Sequence, residues 1–319
     1  MGKEGLRPVD LATLEGVLRV GDVELVLLDG EPPQACIDTR VHDGSLVCSL
    51  HLAFHACGRF TLPADWALIG FVHDADPAAS WCHGVPLTAG TALTVMADSS
   101  SEFAFAAGTR LTLVLLPAAR LQRRFAELSL QAASASARVP RLFVAAADGG
   151  LAGRYLQLRQ LLAHDDAALL AAHDGAALLN EHLQALLATG PADRPVASRA
   201  RSTHYVVAQR ADTFMRLNLR QNVYMGEVCA ASGVSERGLR YAFEDLFGLS
   251  PNRYLTLLRL CTACRALSEA DGGRRSVKAV ALGCGFWDLS RFAENYRRVF
   301  GELPRQTLMR APDAPGRRA

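Results

Sequence analysis

The spacing of apolar residues changes twice along this chain. Between about residues 16 and 117, short apolar runs alternate with turn-forming clusters that contain Asp, Gly and Pro. From about residue 118 to residue 189 the sequence is rich in Ala and Leu at helical spacing, and helical spacing returns in the last third. Many short strands between turns are typical of a β-sandwich or a β-barrel. The pattern therefore predicts a β-rich region followed by two helical regions.

Five runs in the first region have the apolar composition of β-strands. They cover residues 23–28, 46–52, 67–72, 92–96 and 110–115. The predicted turns between strands lie at residues 29–33, 42–44, 63–65 and 88–90. The mouth of a barrel is a concave, apolar place for a small molecule, so we expect an effector pocket here. The aromatic candidates for the pocket wall are Trp66, Phe71, Trp81 and Phe103. Aromatic residues are, however, usually buried in the core.

The Ala- and Leu-rich region contains three short amphipathic runs, which begin at Leu121, Leu156 and Leu178. Helices of this composition pack closely, and an apolar stripe that the β-rich region leaves exposed would pair with a second copy of the chain. We therefore predict a helical dimerisation segment and a homodimer. Residues 190–195 contain two Pro and one Gly, which is typical of an interdomain linker.

The last third of the chain contains two copies of one helical pattern. In the first copy a glycine-bearing turn at residues 232–235 separates two helical segments, and in the second a turn at residues 283–286 does the same. Gly233 suits the positive backbone angle of such a turn, and Ser235 stands where a helix N-cap is needed. Apolar residues then recur every four positions, as on one side of a helix. Each copy is typical of a helix-turn-helix.

The second helix of the first copy has a polar outer face, which carries Arg237, Arg240, Tyr241 and Glu244. Such a cationic face fits the major groove of DNA, although a solvated helix face has the same composition. The duplication of the unit favours DNA. An amphipathic segment from Ser250 to about Ala270, with a predicted end at residues 271–273, spans roughly 30 Å as a helix. It would hold two recognition helices about one turn of DNA apart.

Charge is distributed unevenly, although the net charge is only +2. Residues 205–319 contain 18 Lys and Arg against 11 Asp and Glu, whereas residues 1–204 contain 16 against 21. A basic region on an acidic body fits phosphate binding by one region only. The eight Cys are scattered and predict reduced thiols. Because the sequence has neither a membrane-spanning apolar run nor a signal-peptide pattern, it predicts a cytoplasmic protein.

Two stretches resemble the DNA-binding region of AraC/XylS transcription regulators. They are GVSERGLRYAFEDLFGLSPNRYLTLLRLCTACRAL and SVKAVALGCGFWDLSRFAENYRRVFGELP, and together they lie in about the last third of the chain. The GFW variant with a Pro-x-x-Thr-Leu ending is most similar to the ethanolamine-operon type within this family. The resemblance implies a bacterial, sequence-specific transcription regulator, in particular an activator. Its implied partners are double-stranded DNA, RNA polymerase and a small-molecule effector.

The resemblance also implies which side chains face the DNA bases. In the first unit they are Arg237, Arg240 and Tyr241, and in the second unit they are Ser290, Arg291 and Glu294. Glu294 stands where the family often has an Arg. How much the second unit contributes to base recognition is therefore open. Four further cations lie near helix ends, where we expect contacts with phosphates, namely Arg253, Lys278, Arg297 and Arg298.

Together these observations predict an α+β protein. The resemblance implies a cupin-like β-barrel at the N-terminus and an all-α domain with tandem helix-turn-helix units at the C-terminus. The predicted division is residues 1–120 for the cupin-like sensing domain, 121–189 for the helical dimerisation segment, 190–203 for the linker, 204–312 for the DNA-binding domain and 313–319 for the tail. No cofactor, metal or catalytic residue is predicted.

Two alternatives stay open at this point. His51 and His55 are four residues apart and would share a face of a continuous strand, which keeps a cupin-type metal enzyme with a DNA-binding region in consideration. The His-x-His…Glu…His ligand set of metal cupins is missing, however. Cys261 and Cys264 have the spacing of a zinc site, but no second pair accompanies them, which favours packing of both thiols in the core. The other alternative is an effector-free regulator that a partner protein controls. Hydrolase, phosphate-loop and dinucleotide motifs are absent from the sequence.

Overall fold

The structure, a computed structural model, describes residues 5–19, 21–128, 141–145, 150–164, 174–190, 194–270 and 276–310. The N-terminal part consists mainly of β-strands, and the C-terminal part consists of helices. This mixture confirms the predicted α+β class. Within the ranges given above, no helix is both long and apolar enough to cross a membrane.

Twelve strands in the described residues form two antiparallel sheets. Their bounds are β1 Arg7–Pro8, β2 Asp22–Leu27, β3 Gln34–His42, β4 Ser45–Leu52, β5 Ala56–Thr61, β6 Trp66–Asp74, β7 Trp81–Cys82, β8 Val85–Pro86, β9 Thr91–Val95, β10 Ser100–Phe105, β11 Arg110–Pro117 and β12 Arg141–Val144. One sheet has seven strands in the order β1-β3-β4-β11-β6-β9-β12. The other sheet has five strands in the order β2-β5-β10-β7-β8.

The two sheets do not close into the predicted cupin-like barrel. The edge strands are β1 and β12 in one sheet and β2 and β8 in the other, and in the described part of the chain none of them pairs across to the second sheet. Three of these edges are only two or four residues long, which is too short for a continuous ladder of hydrogen bonds. Side chains of both sheets nevertheless line one apolar gap. The arrangement is therefore a two-sheet sandwich.

Each of the five runs predicted as strands coincides with a strand to within two residues at either end, namely β2, β4, β6, β9 and β11. The sequence pattern missed β3, β5 and β10. Strand β3 runs through the charged residues Asp38 and Arg40, and β5 contains Gly58, which weakens a strand signal. Pairing with β4 and with β10 outweighs these local preferences.

The described residues also contain eleven helices. They are α1 Leu11–Glu15, α2 Ala118–Glu127, α3 Gly150–Ala163, α4 Gly175–Ala188, α5 Arg199–Leu217, α6 Met225–Ser232, α7 Glu236–Phe247, α8 Pro251–Ser268, α9 Val277–Gly283, α10 Leu289–Phe300 and α11 Pro304–Met309. The hydroxyl of Ser198 accepts a hydrogen bond from Arg201 N at 3.2 Å and caps α5. Residues 199–203 of the predicted linker are therefore helical. The predicted end of the connecting helix at residues 271–273 lies outside the described residues.

Helices α2, α3 and α4 pack on one face of the seven-stranded sheet. The segment predicted to be helical also contains β12, which pairs with β9 at the sheet edge. The rings of Phe71 and Tyr155 stack in the apolar cluster between helices and sheet, with centroids 5.1 Å apart. His182 is fully buried in the same cluster, with Nε2 2.9 Å from Thr94 Oγ1 and Nδ1 3.0 Å from the Tyr155 hydroxyl.

The five-stranded sheet packs directly against the C-terminal helices. Trp81 of β7 is buried, and its Nε1 donates to the carbonyl oxygen of Leu246 in α7 at 3.0 Å. Arg216 of α5 forms ion pairs with Asp212 at 2.6 Å and with Glu24 of β2 at 2.7 Å. One apolar cluster continues across this boundary. The β-rich part and the C-terminal helices therefore share a core.

Candidate nucleic-acid interface and ligand cavity

The first helix-turn-helix consists of α6 and α7. Gly233 ends α6 with a φ of 72°, a left-handed conformation that glycine adopts without a steric penalty. The hydroxyl of Ser235 accepts a hydrogen bond from Gly238 N at 3.3 Å and caps α7. Leu239 and Phe243 on the inner face are fully buried. The turn, the cap and the inner face agree with the sequence prediction.

The outer face of α7 carries the first three predicted base-facing residues, and all three are exposed, namely Arg237, Arg240 and Tyr241. The guanidinium of Arg237 donates to the Tyr241 hydroxyl at 2.8 and 3.0 Å and lies 5.2 Å from the centre of its ring. Arg240 lies 3.9 Å from Glu244 in an exposed ion pair. Such a pair contributes little in water, so the Arg240 guanidinium is available to another acceptor.

The second helix-turn-helix consists of α9 and α10. Its turn contains Gly285 with a φ of 78°, and the carboxylate of Asp288 caps α10 by accepting from Arg291 N at 2.9 Å. The predicted base-facing residues of this unit are all exposed, namely Ser290, Arg291 and Glu294. Three of the four predicted phosphate contacts are exposed as well, namely Lys278, Arg297 and Arg298. Arg253 is half-buried.

Helix α8 joins the two units and packs against α7, α9 and β2. It has 18 residues and therefore spans about 27 Å. The hydroxyl of Ser250 accepts from Arg253 N at 3.3 Å, and Pro251 occupies the first helical position. The sequence predicts one apolar side, but ten residues of α8 are buried. Strand β2 packs on this helix, and Leu27 N donates to the thiol sulfur of Cys261 at 3.4 Å.

A groove of about 780 Å³ lies between α8 and α10. Its wall carries four cations and two anions, namely Arg253, Arg259, Arg291, Arg298, Asp288 and Glu294. Partial burial lowers the pKa of Arg253, and the charge of the neighbouring Arg298 lowers it further. Two guanidinium groups that repel each other favour an anion beside them. A DNA phosphate supplies such an anion.

Two hydrogen bonds, one from α8 and one from the second unit, reach the loop that leads into the first unit. The guanidinium of Arg259 donates to the carbonyl oxygen of Gln221 at 2.7 Å. Trp287, which is 65 % exposed, donates from Nε1 to Asn222 Oδ1 at 3.2 Å. We call these two bonds the inter-unit contact. Sequence reasoning did not single out Arg259 or Trp287, and the available signal was a large aromatic residue directly after a glycine turn.

Replacing Gly285 with alanine is expected to lower the free energy of unfolding by about 1–3 kcal/mol. An alanine is strained at a φ of 78°, and its Cβ would lie 2.6 Å from the carbonyl oxygen of Leu219 and 2.9 Å from the guanidinium carbon of Arg259. Urea unfolding measures the loss. Gly283→Ala is the matched control, because a Cβ at Gly283 meets nothing within 4 Å. Equal losses in the two variants would contradict the importance of this close approach.

A separate apolar cavity of about 100 Å³ lies between the two sheets. Only Cys82 and Ser101 among its lining residues carry a polar side-chain atom. Of the four aromatic candidates, Phe103 lines the cavity, whereas the other three do not, namely Trp66, Phe71 and Trp81. The sheets thus do provide an internal space for a small molecule, although the barrel that was expected to enclose it is open.

The two histidines considered for a metal site lie in different elements. His51 belongs to β4, whereas His55 follows that strand, and its Nδ1 lies 3.1 Å from a carboxylate oxygen of Asp29. The continuous strand on which the two histidines would share a face therefore ends at Leu52, before His55. Across the part of the chain that the structure describes, no group of three or more His, Cys, Asp and Glu side chains is placed to hold a metal ion.

Comparison with known proteins supports the helix-turn-helix geometry. Residues 228–310 match the family described as a helix-turn-helix domain. The chain is 36% identical over 100 residues to the XylDLEGF operon transcriptional activator of Pseudomonas putida, and this alignment covers 31% of each protein. This region of the chain belongs to the AraC/XylS family. The HTH-type transcriptional activator RhaS of Pectobacterium carotovorum is 29% identical over 92 residues, which cover 29% of this chain and 32% of the relative.

The same region is also similar to a solved structure, that of a probable AraC family transcriptional regulator from Rhodopseudomonas palustris. The sequence identity is 36%, the alignment covers 33% of this chain and 96% of the other, and the TM-score is 0.31. The chain spans about a third of the length of the curated relatives it matches. The more specific similarity to the ethanolamine-operon type stays a prediction.

Proposed function

We propose that this AraC/XylS-family protein is a sequence-specific DNA-binding transcription regulator in the cytoplasm. The strongest support is that two helix-turn-helix units each present an exposed cationic helix, with Arg237 and Arg240 on α7 and Arg291 on α10. Two such helices on a common connecting helix suit neighbouring segments of a major groove. The relatives described above are named transcriptional activators, so we propose activation, with RNA polymerase as a further partner.

We assign two kinds of DNA contact to the exposed residues. Arginines such as Arg237 and Arg240 are suited to the O6 and N7 atoms of guanine, and a carboxylate such as Glu294 is suited to the amino group of cytosine. The remaining base-facing positions are Tyr241, Ser290 and Arg291. The proposed phosphate contacts are Arg253 and Arg298 in the groove, and Lys278 and Arg297 outside it. Phosphate contacts position the protein, whereas base contacts specify the sequence.

Removal of Arg240 is expected to weaken binding to the specific operator by about 1–3 kcal/mol. The reason is that Arg240→Ala loses a bidentate base contact that random DNA does not offer. Arg297→Ala is the matched control on α10, because loss of a phosphate contact weakens all sequences alike. Fluorescence anisotropy on operator and random duplexes at one salt concentration measures both variants. If both lose affinity equally on the two duplexes, the assignment of Arg240 to base reading fails.

Selection of bound duplexes from genomic or random fragments tests the proposed function as a whole. The full chain is expected to enrich one sequence with two half-sites about one helical turn apart, because the two units read successive groove segments. The enriched sequence then serves as the operator in every assay. Binding without any enriched sequence would overturn sequence-specific regulation.

We propose the cavity between the sheets as the effector site. Leu14 of α1 and Leu25 of β2 line it. Beside them, the carboxylate of Glu15 accepts from Leu25 N at 2.8 Å and from Arg265 of α8 at 2.7 Å. A ligand that shifts α1 or β2 therefore acts on the helix that joins the two units. Such a ligand changes DNA affinity only if it binds one arrangement of the protein more tightly than another.

We also propose that the protein is a homodimer through α3 and α4. Leu156 on α3 and Leu187 on α4 are 45 % and 44 % exposed, although leucine side chains of packed helices are usually covered. A second copy of the same surface would cover them. Size-exclusion chromatography with light scattering tests this proposal, and a monomer at micromolar concentration would count against it.

A further inference from the structure

We infer that the cavity between the sheets binds a small, uncharged, mainly apolar molecule that carries one hydrogen-bonding oxygen, and that Ser101 holds this oxygen. The inference rests on the proposed sensing function and adds the chemical class of the effector. It also excludes carboxylates, ammonium compounds and sugars as effectors at this site. Three features of the cavity wall lead to it: the lack of charge, one hydroxyl without a partner, and the size of the space.

The cavity wall offers no charged group to a ligand. Of its twenty described lining residues, all have apolar side chains except Cys82 and Ser101. Three carboxylates lie next to lining residues in the chain, and all three have other partners: Glu15 pairs with Arg265, Glu24 with Arg59 and Arg216, and Glu102 with the Tyr205 hydroxyl. A charged ligand would lose its hydration in this space without gaining an opposite charge. A neutral ligand loses little and covers apolar surface.

The hydroxyl of Ser101 is the one unsatisfied polar group among the described lining residues. Ser101 is 0 % exposed, and its Oγ has no hydrogen-bond partner within the described part of the chain. Most buried polar groups are paired, because an unpaired one costs free energy. A hydroxyl left unpaired at the wall of a cavity is therefore a position for a ligand oxygen, which removes that penalty.

Cys82, the other polar lining residue, does not supply a charge. Burial raises the pKa of its thiol to about 12, with a smaller contribution from Glu102. The thiol is therefore neutral at physiological pH and behaves as a small apolar group with a weak donor. It neither attracts a cation nor attacks an electrophilic ligand, so the hydrogen-bonding specificity of the cavity depends on Ser101.

The volume limits the ligand to about the size of one small ring. An engineered apolar cavity of about 150 Å³ in another protein stays dry and admits benzene. The cavity here has a volume of about 100 Å³, so it accepts a molecule of similar or slightly smaller size without rearrangement. Polar, multiply hydroxylated molecules of this size would leave most of their hydrogen-bonding groups unpaired against leucine and phenylalanine side chains.

Three probes of one size separate these requirements: cyclopentanol, methylcyclopentane and the cyclopentylammonium ion. Calorimetry and thermal unfolding of the full chain at pH 7 measure their binding. We expect cyclopentanol to raise the Tm and to bind more tightly than methylcyclopentane by about two- to tenfold, the value of one hydrogen bond. We expect no shift with the ammonium ion. An ammonium ion that shifts the Tm as much as the alcohol would overturn the inference.

Two variants assign the effect to the cavity. Ser101→Ala should raise the Tm of the ligand-free protein, because it removes an unpaired hydroxyl, and it should bring the alcohol and the hydrocarbon to equal affinity. Val95→Phe, from the opposite wall, should abolish binding of both probes because the larger side chain fills the cavity. If Val95→Phe does not fold, Ala56→Val fills the same cavity with a smaller change. Unchanged preference for the alcohol in Ser101→Ala would refute the role of the hydroxyl.

DNA binding is measured separately, so that the two proposals fail in different ways. Operator affinity of the full chain is determined with and without cyclopentanol. If the alcohol binds with the expected Ser101 dependence but leaves operator affinity unchanged, the ligand class stands and the sensing function is wrong. If no probe of the three binds to a protein that still selects an operator, the ligand class is wrong and the DNA-binding function stands.

Discussion

Arg216→Met is expected to lower the free energy of unfolding by about 3–5 kcal/mol. The side chain is only 14% exposed, its Nε donates to Asp212 at 2.6 Å, and its Nη1 donates to Glu24 at 2.7 Å. Burial alone lowers the pKa of Arg216, but the neighbouring carboxylates, Asp212 foremost, outweigh this effect and raise it. Methionine fills similar space and leaves the Asp212 carboxylate, which is 20% exposed, without its cation. Urea unfolding followed by tryptophan fluorescence measures the loss.

Arg59→Met is the matched control for this prediction. Arg59 also pairs with Glu24, at 2.8 Å, but its side chain is 45% exposed. An ion pair in contact with water contributes less than about 1 kcal/mol. The double variant Arg216→Met with Asp212→Asn should regain part of the lost stability, because it no longer buries an unpaired charge. A loss for Arg216→Met no larger than that for Arg59→Met would show that the buried pair does not stabilise the boundary.

Acidification from pH 7 to pH 5 is expected to cost the protein about 2 kcal/mol through His182 alone. Burial lowers the pKa of His182 to about 3, whereas an unfolded histidine titrates near 6.5. Below pH 6.5 the unfolded chain therefore binds a proton that the folded chain does not bind. Stability contributed by the neutral ring is complete above pH 6.5 and falls by about 1.4 kcal/mol per pH unit down to about pH 3.

His182→Gln isolates this contribution. Glutamine does not titrate, and it retains a donor and an acceptor for Thr94 Oγ1 and the Tyr155 hydroxyl, which contact the two ring nitrogens of His182 at 2.9 and 3.0 Å. Urea unfolding of both proteins at pH 7 and pH 5 gives two pH-dependent losses, and carboxylates common to both cancel in their difference. The inference of a neutral buried ring is rejected when the two proteins lose the same free energy on acidification.

The helix-turn-helix units were predictable because their signals are local. Gly233 supplies the left-handed turn and Ser235 supplies the cap, and both act within a few residues of sequence. Helix α5 was missed, although Val207, Ala208, Ala211 and Met215 mark a buried stripe on it. The Pro residues just before this helix and the arginines along it interrupt the apolar spacing.

The parts that sequence could not give depend on contacts between distant segments. Strand β5 contains Gly58 and lacks a strong strand signal, and it forms because β2 and β10 pair on either side of it. Closure of a barrel is decided by the sheet edges, which no local pattern reports. The bond from Trp287 to Asn222 joins residues 65 positions apart, so the sequence around one residue does not predict its contact with the other. The unpaired hydroxyl of Ser101 likewise becomes visible only when both sheets are in place.

The bond from Trp81 to the carbonyl oxygen of Leu246 limits how this protein can be recombined. A fragment that starts at Arg199 would expose the apolar surface of α8 that β2 now covers. It would also expose the end of α7 that Trp81 now covers. A hybrid with a foreign N-terminal region in front of α5 will need an aromatic hydrogen-bond donor at the end of α7, in the place of Trp81. A substitution in the buried surface of β2 or β7 is therefore expected to need a compensating change in α7 or α8.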